Sequence, residues 1–507
     1  MKHELFVYTR IPDDSFCPPE YGNSVHIAVS ESGGTVVPLN NNEGILYAEA
    51  EISQNNEIIG KSLSEPVVVF LPDGNGSASE YAILAKRIGH DGAEEGSRGS
   101  KRLLWLTKDF ITFEECGLVD VAEHPRLGEI ADITAGNVAR NEKERPFSNA
   151  QLFADVASFS GIEIDAGLYD AILQYYTPVE EQNTVRRQEW PMDSFPLASG
   201  FADPVIFLWN DMYYYIATND NTGDVGFWVR EAERLPDLFL PETPQHLILD
   251  KNEEKGLIQT FWAPEFHVIG GRVYLLFAVS GDTFDPQCHM MRLKENGSII
   301  RAGDWEDPVR VRKKEGTFLG EKGITLDMTH FSNGGRSYLI WSYRENCMAE
   351  GDTGSMLYIA STDPDQPWQL TSDPVLLSRP LYGWENVAGT INNEGPYPLL
   401  TEDTIYITYS GGSACNWTYA IGLLSIGRDE DPLDVTRWKK SPYPVLSTAD
   451  LDGIYGPGHN SFFLDKSGDT YIAYHAEKTA YDSPRSTMLH RIRFRENGEP
   501  VLWMSQK

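Results

Sequence analysis

The sequence is poor in positive charge. Its 507 residues include 75 Asp and Glu but only 42 Lys and Arg, which gives a formal net charge of −33. Proteins that bind nucleic acids or anionic lipid surfaces use Lys and Arg to neutralise phosphate groups. The charge balance therefore argues against a nucleic-acid partner and against a membrane partner.

Long apolar runs and paired cysteines are also missing. No run approaches the roughly 18 residues that a membrane span needs, and the first residues lack the apolar region of a secretory signal. As written, the chain is expected in the cytoplasm, or outside the cell if a signal peptide has been removed. The five cysteines are odd in number and scattered, without a CxxC pair, so neither a disulfide framework nor a zinc site is predicted.

Short β-branched and aromatic runs, separated by Gly, Asn and Asp turns, replace the helical periodicity that is nearly absent. This pattern is typical of all-β proteins. Five segments share one plan, in which an acid or a histidine precedes an apolar strand, a polar turn and a strand centred on tyrosine. Their leading residues are Asp203, Glu265, Asp327, Glu394 and His459.

The leading residues follow one another at intervals of 62, 62, 67 and 65 residues. A repeat of this length holds one four-stranded sheet with its loops, which is one propeller blade. The sequence therefore predicts an all-β fold built around a five-bladed β-propeller. Because the innermost strand of every blade lines the central channel, we expect the five leading residues to converge at one end of the axis.

The N-terminal part of the chain has a different pattern. It contains one blade-like echo that begins at Glu65, and the segment Asp165–Tyr176 fits either a short helix or a strand. We predict an N-terminal, mostly β accessory domain over residues 1–185 and the propeller over residues 186–507, joined by a charged linker at 180–189. The size of the accessory domain suggests that it narrows the funnel of the propeller into a pocket for chain ends.

Several carboxylates around one pocket are suited to acid–base chemistry. Crowding and burial raise the pKa of one carboxyl group while another stays ionised. Glycoside hydrolysis needs such a pair, one to protonate the leaving oxygen and one to activate water or to attack. Acids on non-adjacent blades face each other across the funnel, which favours the wider separation of enzymes that invert the anomeric carbon.

Short motifs surround each of the five leading residues. They are Ala202-Asp203-Pro204, Trp262-Ala-Pro-Glu265, Gly323-Ile-Thr-Leu-Asp327, Asn393-Glu394-Gly395-Pro396 and Gly456-Pro-Gly-His459-Asn460. Over roughly residues 195–505 the sequence resembles the family 43 glycoside hydrolases, five-bladed propeller enzymes that mostly remove arabinofuranosyl or xylosyl units from plant polysaccharides. Met328 departs from the family pattern, in which proline or another small turn residue is commoner, and this leaves the substrate within the family open.

The resemblance implies three catalytic roles. Asp203 is the general base that deprotonates the attacking water, and Glu394 is the general acid that protonates the departing glycosidic oxygen. Asp327 orients Glu394 and keeps the pKa of its carboxyl group high. No cofactor is needed for this chemistry.

The resemblance also implies a set of binding residues. Trp262 stacks on the face of the sugar, Glu265 orients sugar hydroxyls or the catalytic acids, and Arg485 reaches the bound sugar. His459 helps to hold a calcium or other structural ion on the propeller axis, although a hydrogen-bonded core histidine fits the same position.

The leading hypothesis is an inverting glycosidase that releases pentose units, with α-L-arabinofuranosyl units favoured, from neutral plant-derived oligo- or polysaccharides. A β-xylosidase and an exo-β-galactanase of the same fold are the nearest alternatives. A non-catalytic sugar-binding propeller would not need all three acids. A fructan hydrolase or a glycoside phosphorylase is a further alternative, but the fructan enzymes' Asn-Asp-Pro-Asn-Gly start is replaced here by Phe201-Ala-Asp-Pro204.

Overall fold

The computed structural model describes residues 3–13, 15–31, 34–71, 80–93, 101–124, 126–127, 155–177 and 195–503. The predicted linker at 180–189, and with it the predicted boundary between residues 185 and 186, lies outside the described residues. Strands make up most of the described chain, as the sequence predicts.

The N-terminal strands form two four-stranded sheets and one small hairpin. The strands are β1 His3–Arg10, β2 His26–Glu31, β3 Val36–Pro38, β4 Glu51–Ile52, β5 Ile58–Ile59, β6 Lys61–Leu71, β7 Glu80–Gly89, β8 Lys101–Thr107, β9 Glu114–Asp120 and β10 Val156–Ile164. One sheet has the order β10-β1-β2-β3 and the other β6-β7-β8-β9, while β4 pairs with β5.

Within the N-terminal residues that the structure describes, two helices accompany these sheets, α1 over Pro19–Gly22 and α2 over Ala166–Tyr176. The segment that fitted either a helix or a strand is helical because Asp165 caps it, its carboxylate accepting the backbone N–H of Leu168 at 2.9 Å. One face of α2 is buried against the sheets. Within the described ranges, no helix is long and apolar enough to cross a membrane.

The following strands form five blades. The first contains β12 Phe201–Trp209, β13 Met212–Asn219, β14 Phe227–Ala232 and β15 His246–Leu249, preceded by β11 Ala198–Ser199. The second contains β16 Gln259–Ile269, β17 Arg272–Ser280, β18 Gln287–Arg292 and β19 Val309–Arg310. The third contains β20 Gly323–Asn333, β21 Arg336–Glu345, β22 Met356–Asp363, β23 Gln366–Leu370 and β24 Val375–Ser378.

The fourth blade contains β25 Glu394–Leu400, β26 Thr404–Gly411, β27 Ala420–Gly427 and β28 Lys439–Lys440. The fifth contains β29 Tyr455–Leu464, β30 Thr470–Glu477 and β31 Ser486–Arg491, and a terminal hairpin of β32 Arg493–Phe494 and β33 Pro500–Val501 follows. Within each blade, neighbouring strands pair antiparallel, and in the third blade β24 pairs with β22 rather than with β23. The predicted five-bladed propeller is confirmed.

The ring closes by pairing its two ends. The fifth blade takes its fourth strand from β11, whose Ala198 and Ser199 pair with Thr487 and Ser486 of β31. A strand from before the first blade thus completes the last one. This closure leaves no open edge between the first and last blades.

Every innermost strand carries a β-bulge near its start, and β16 and β29 carry another one just before it, at Thr260 and Gly456. At the bulge that all five strands share, the pairing register breaks and one residue adopts a positive φ between 44° and 56°. These residues are Asp203, Ala263, Asp327, Gly395 and His459. The five leading residues of the repeats are therefore not structurally equivalent, although the sequence suggested that they are. Glu394 precedes the bulge residue of its strand by one position, and Glu265 follows the bulge residue of its strand by two.

The blade-like echo at Glu65 has the same bulge. Glu65 has a φ of 47°, and the pairing of β6 with β7 shifts register between Ser64 and Val67. Its carboxylate lies 2.9 Å from Nζ of Lys86 and 3.6 Å from a guanidinium nitrogen of Arg102. The N-terminal sheet thus repeats the backbone of a blade, but its acid is held in ion pairs.

The N-terminal region packs on loops at the entrance of the propeller. The backbone N–H of Ala50 donates to the carbonyl of Leu381, and Nε2 of His90 lies 2.9 Å from Oδ1 of Asn386. Both propeller residues belong to the loop that leads into β25, and the bulges lie near the start of the innermost strands. The N-terminal region therefore contacts the end of the propeller that holds the bulges.

Candidate active site

Three carboxylates meet at the bulged end of the innermost strands. Asp203 lies on β12, Asp327 on β20 and Glu394 at the start of β25, and the carboxyl groups of the two aspartates are buried. Oδ2 of Asp327 accepts the backbone N–H of Gly395 at 3.0 Å, which ties the third blade to the residue after Glu394. The bulges bring together acids that are about 190 positions apart in sequence.

Asp203 lies in a strongly polar and partly cationic environment. Its Oδ1 is 3.2 Å from Nδ1 of His459, 3.1 Å from Nδ1 of His475 and 3.8 Å from a guanidinium nitrogen of Arg485. Its Oδ2 accepts the hydroxyl of Thr218 at 2.6 Å. Burial opposes ionisation, but these neighbours outweigh it and hold the pKa of Asp203 well below its usual range.

Thr218 fixes the direction of this carboxylate. Its hydroxyl oxygen accepts the backbone N–H of Ala263 at 2.9 Å while the hydroxyl donates to Asp203. One threonine thus connects the bulge of the first blade with the bulge of the second. The free rotation of the carboxyl group is lost in this arrangement.

Glu394 has the opposite electrostatic environment. Burial raises the pKa of Glu394 to about 7, and the charge of Asp203 acts in the same direction. The hydroxyl of Tyr419 donates to Oε1 at 2.9 Å and lowers this pKa in part. A Cβ at Gly458 would lie 2.0 Å from the ring of Tyr419, so only glycine leaves room for this tyrosine.

Asp327 is a buried acid with carboxylates as neighbours. Burial, followed by the charges of Glu394 and Asp203, raises the pKa of Asp327 well above its usual range. Burial and mutual repulsion oppose the ionisation of all three carboxyl groups, whereas the guanidinium of Arg485 and the two imidazoles favour ionisation at Asp203. An ionised Asp203 together with a protonated Glu394 is therefore the favoured combination, and it is the pairing that acid–base catalysis requires.

Glu265 lies two positions beyond the bulge of its strand, among buried histidines. Its Oε2 is 2.6 Å from Nε2 of His267, whose ring in turn lies within 3.4 Å of the hydroxyl of Thr329. Burial raises the pKa of Glu265 to about 8. Glu265 is therefore a proton-bearing group on the axis next to the three acids.

Arg485 and Trp262 carry hydrogen-bond donors suited to sugar hydroxyls. Both oxygens of Asp220 hold the guanidinium of Arg485, at 2.6 and 3.1 Å, and orient it beside Asp203. Trp262 is half-buried on β16, and its indole N–H is buried without a protein partner among the described residues. The structure thus places Arg485 beside Asp203 and leaves the indole N–H of Trp262 without a partner in the described part of the chain.

The described side chains near the propeller axis offer few ligands for the predicted ion. Among the residues that the structure describes, no group of three or more His, Cys, Asp or Glu is arranged to hold a metal. His459 directs Nδ1 at Asp203, and the neighbouring Asn460 has both polar atoms of its amide buried without a partner. Calcium takes six to eight oxygen ligands, so this set fits it poorly, and the ion stays a prediction.

Sequence reasoning missed three residues that shape this site, which are Asp220, Tyr419 and His475, and it assigned no role to Thr218, which it placed only in the motif of the first blade. Asp220 lies in a polar turn and Tyr419 in a loop, and neither position carries a recognisable motif. His475 offered a signal, because it interrupts the otherwise apolar strand Ile472-Ala-Tyr-His-Ala476. A lone buried imidazole in such a strand requires a polar partner, which here is Asp203.

The comparisons with known proteins agree with this architecture. Two relatives are named extracellular exo-α-(1→5)-L-arabinofuranosidases. The one from Streptomyces avermitilis is 32% identical over 314 residues, covering 60% of this chain and 62% of its own. The one from Streptomyces chartreusis is 32% identical over 285 residues, covering 56% and 82%. The match thus spans less than two thirds of the first relative's length.

A solved structure shares the propeller. The crystal structure of an α-L-arabinofuranosidase from Lactobacillus brevis superposes with a TM-score of 0.53 at 29% identity, covering 61% of this chain and 95% of that one. The sequence profile described as Glycosyl hydrolases family 43 matches residues 194–500, which is more than half of the chain. The propeller, its bulged acids and this match establish that the protein belongs to glycosyl hydrolases family 43.

Proposed function

We propose that the protein is an exo-acting glycosidase that releases α-L-arabinofuranosyl units with inversion from neutral, arabinose-containing oligo- or polysaccharides. The observation that carries the proposal is the opposed protonation of two acids in one buried site. Asp203 has a lowered pKa, whereas the pKa of Glu394 is raised to about 7. The names of the two Streptomyces relatives support arabinofuranose as the sugar.

In this mechanism Asp203 accepts a proton from water as the water oxygen attacks the anomeric carbon. The bond from that carbon to the glycosidic oxygen breaks, and Glu394 transfers its proton to the departing oxygen. Asp327 positions Glu394 through the backbone N–H of Gly395. The products are the free sugar and the shortened chain, and one proton must return from Asp203 to Glu394 through solvent.

The first test compares the wild type with Glu394→Ala and Asp203→Asn on 4-nitrophenyl glycosides. We expect turnover of the α-L-arabinofuranoside. The β-xyloside and the β-galactoside test the two alternative activities, β-xylosidase and exo-β-galactanase. Each substitution is expected to lower kcat by about 10²- to 10⁴-fold on an arabinose disaccharide. Failure of the wild type on all three glycosides, or full activity of both variants, would contradict the proposal.

Leaving groups of different acidity separate the two roles. A 2,4-dinitrophenolate departs without protonation, so Glu394→Ala is expected to retain much more activity on the dinitrophenyl glycoside than on the disaccharide. Asp203→Asn is expected to lose activity on both, because water still needs a base. Proton NMR of the first sugar anomer released tests inversion, and a product that keeps the substrate's configuration would refute it.

The size of the substrate bears on whether the protein acts outside or inside the cell. A polysaccharide does not enter a cell intact, and both Streptomyces relatives are named extracellular. We infer that the protein acts on polysaccharide outside the cell, or on imported oligosaccharides if it stays inside. Fractionation of producing cells, with the activity assayed in medium and in lysate, decides between the two.

A further inference from the structure

Two exposed aromatic side chains lie against the loop that ends at Tyr419, the partner of Glu394. Phe16 comes from the N-terminal region and Tyr481 from the fifth blade, and their side chains are 48% and 54% exposed. Both contact Trp417, which is only 7% exposed. The ring centroids of Phe16 and Trp417 are 5.1 Å apart, and the indole N–H of Trp417 donates to the hydroxyl of Tyr481 at 2.8 Å.

These aromatics lie on the side of the catalytic acid. Glu394 pairs with Ser410 near the end of β26, and the next loop, 412–419, contains Trp417 and ends at Tyr419. Tyr419 donates to the carboxyl group of Glu394 at 2.9 Å. Because Glu394 protonates the oxygen that leaves with the remainder of the chain, the leaving sugars must lie on this side of the pocket.

Hydrogen bonds of the surrounding turn hold Phe16 in its exposed position. The carboxylate of Asp13 accepts the backbone N–H groups of Ser15 and Phe16 at 2.7 and 3.1 Å. The N–H of Asp13 donates to the carbonyl of Cys17 at 2.7 Å. A turn fixed in this way holds the ring of Phe16 at the surface, where about half of the side chain stays exposed to solvent.

A second contact fixes the ring against the propeller. Phe16 stacks on Tyr455, the first residue of β29, with centroids 6.0 Å apart and planes inclined by 19°. One face of the aromatic group is thus supported by the fourth and fifth blades, and the other face is available. Flat aromatic faces with a nearby hydroxyl, here that of Tyr481, suit neutral sugar rings.

We propose that Phe16, Trp417 and Tyr481 form an acceptor-side platform that binds the sugars of the leaving group in a neutral arabinose-containing chain. The N-terminal region, which lies outside the family match, thereby supplies part of the substrate site. This inference rests on the proposed function, because it takes the position of the leaving group from the role of Glu394.

The test measures kcat and KM of the wild type, Phe16→Ala and Phe16→Leu on two kinds of substrate. Methyl α-L-arabinofuranoside has a leaving group without a sugar ring, and α-1,5-linked arabinobiose, arabinotriose and arabinotetraose extend the leaving group step by step. We expect both variants to raise KM for the longer oligosaccharides by roughly five- to tenfold, with kcat and the methyl glycoside unchanged. Phe16→Leu keeps an apolar side chain but removes the aromatic ring, so a raised KM in this variant shows that the sugar needs the flat ring.

Phe494→Ala is the matched control, because Phe494 is 41% exposed on β32, outside the platform. Equal KM values for Phe16→Ala and the control across the series would overturn the inference while the proposed function stands. A wild type that is dimeric by light scattering and becomes monomeric in Phe16→Ala, with KM unchanged, would overturn it in favour of a self-association surface. Inactivity of the wild type on every substrate would refute the proposed function and, with it, the platform.

Discussion

At the scale of single residues, the site depends on unequal environments for chemically equal groups. Asp203 and Glu394 are both carboxyl groups in the interior of the propeller. Asp203 has two imidazoles and a guanidinium within 4 Å, whereas Glu394 has a phenol hydroxyl and the repulsion of a neighbouring carboxylate. The difference in pKa between the two acids follows from these neighbours rather than from residue type.

Removal of the Tyr419 hydroxyl is predicted to shift the pH profile of the enzyme. The hydroxyl favours the ionised form of Glu394, so Tyr419→Phe should raise the pKa of the acid above its value of about 7. We expect the alkaline limb of kcat/KM to move to higher pH by roughly half to one unit.

Tyr406→Phe serves as the control for this shift, because Tyr406 packs in the core of the propeller. An alkaline limb that stays in place in Tyr419→Phe, or moves to lower pH, would show that another group limits the rate at high pH.

The acids of the site were predictable from the sequence, whereas their partners were not. Asp203, Asp327 and Glu394 each lead a repeat, and the resemblance to family 43 separated them from the other two leading residues, Glu265 and His459. Thr218 and His475 reach Asp203 only after the strands have paired, and His475 lies 272 residues from it along the chain. Such partners belong to the tertiary structure, because no local spacing records them.

At the scale of strands, the β-bulges decide which residues face the axis. The sequence predicts the existence and order of the blades because strand length and turn residues repeat. It does not predict the register, since Glu265, Asp327 and Glu394 occupy three different positions relative to their bulges. A shift of the strand register by one residue moves every side chain to the opposite face of the sheet. A sequence period that varies between 62 and 67 residues therefore cannot define the register.

The ring closure is predicted to depend on Gly200, which lies between β11 and β12. Gly200 has a φ of 72°, and an added Cβ would lie 2.4 Å from the amide of Asn221. That amide donates to the carbonyls of Ser199 and Gly200, so Gly200→Ala should break both bonds at the closing strand.

Gly223→Ala is the matched control, because Gly223 has a φ of 64° and open space at its Cβ position. Both variants carry the backbone strain, and we expect Gly200→Ala to lose about 1–2 kcal/mol more of the free energy of unfolding. Urea midpoints measured at one pH provide the comparison, and equal losses would contradict the expected role of Asn221.

At the scale of the whole molecule, polar contacts join the N-terminal region to the propeller. Glu43 accepts the hydroxyl of Ser447 at 2.8 Å, and Asn41 donates to Asp450 at 2.7 Å. The two acids share this interface, where burial raises the pKa of Glu43 to about 8 and that of Asp450 to about 6. This contact could not be predicted from local sequence patterns, because the partners are about 400 residues apart.

This interface is predicted to make stability decrease as pH rises. In the folded chain Glu43 keeps its proton up to about pH 8, whereas an unfolded glutamate loses it near 4.5. The folded state therefore binds more protons between these values, and its free energy of unfolding falls as pH increases through that window. We expect Glu43→Gln to reduce the fall in the urea midpoint between pH 5 and pH 8.

Glu254→Gln, at an exposed acid of the propeller, is the control for the loss of one negative charge. A pH dependence that is the same in Glu43→Gln and in the wild type would show that the interface does not bind this proton.

The pairing of β11 with β31 also sets an order of events during synthesis. Asp203 emerges from the ribosome long before His459, His475 and Arg485, which are its partners in the fifth blade. Four blades therefore precede, along the chain, the groups that keep Asp203 ionised. We expect activity to appear during refolding only after the fifth blade has closed the ring.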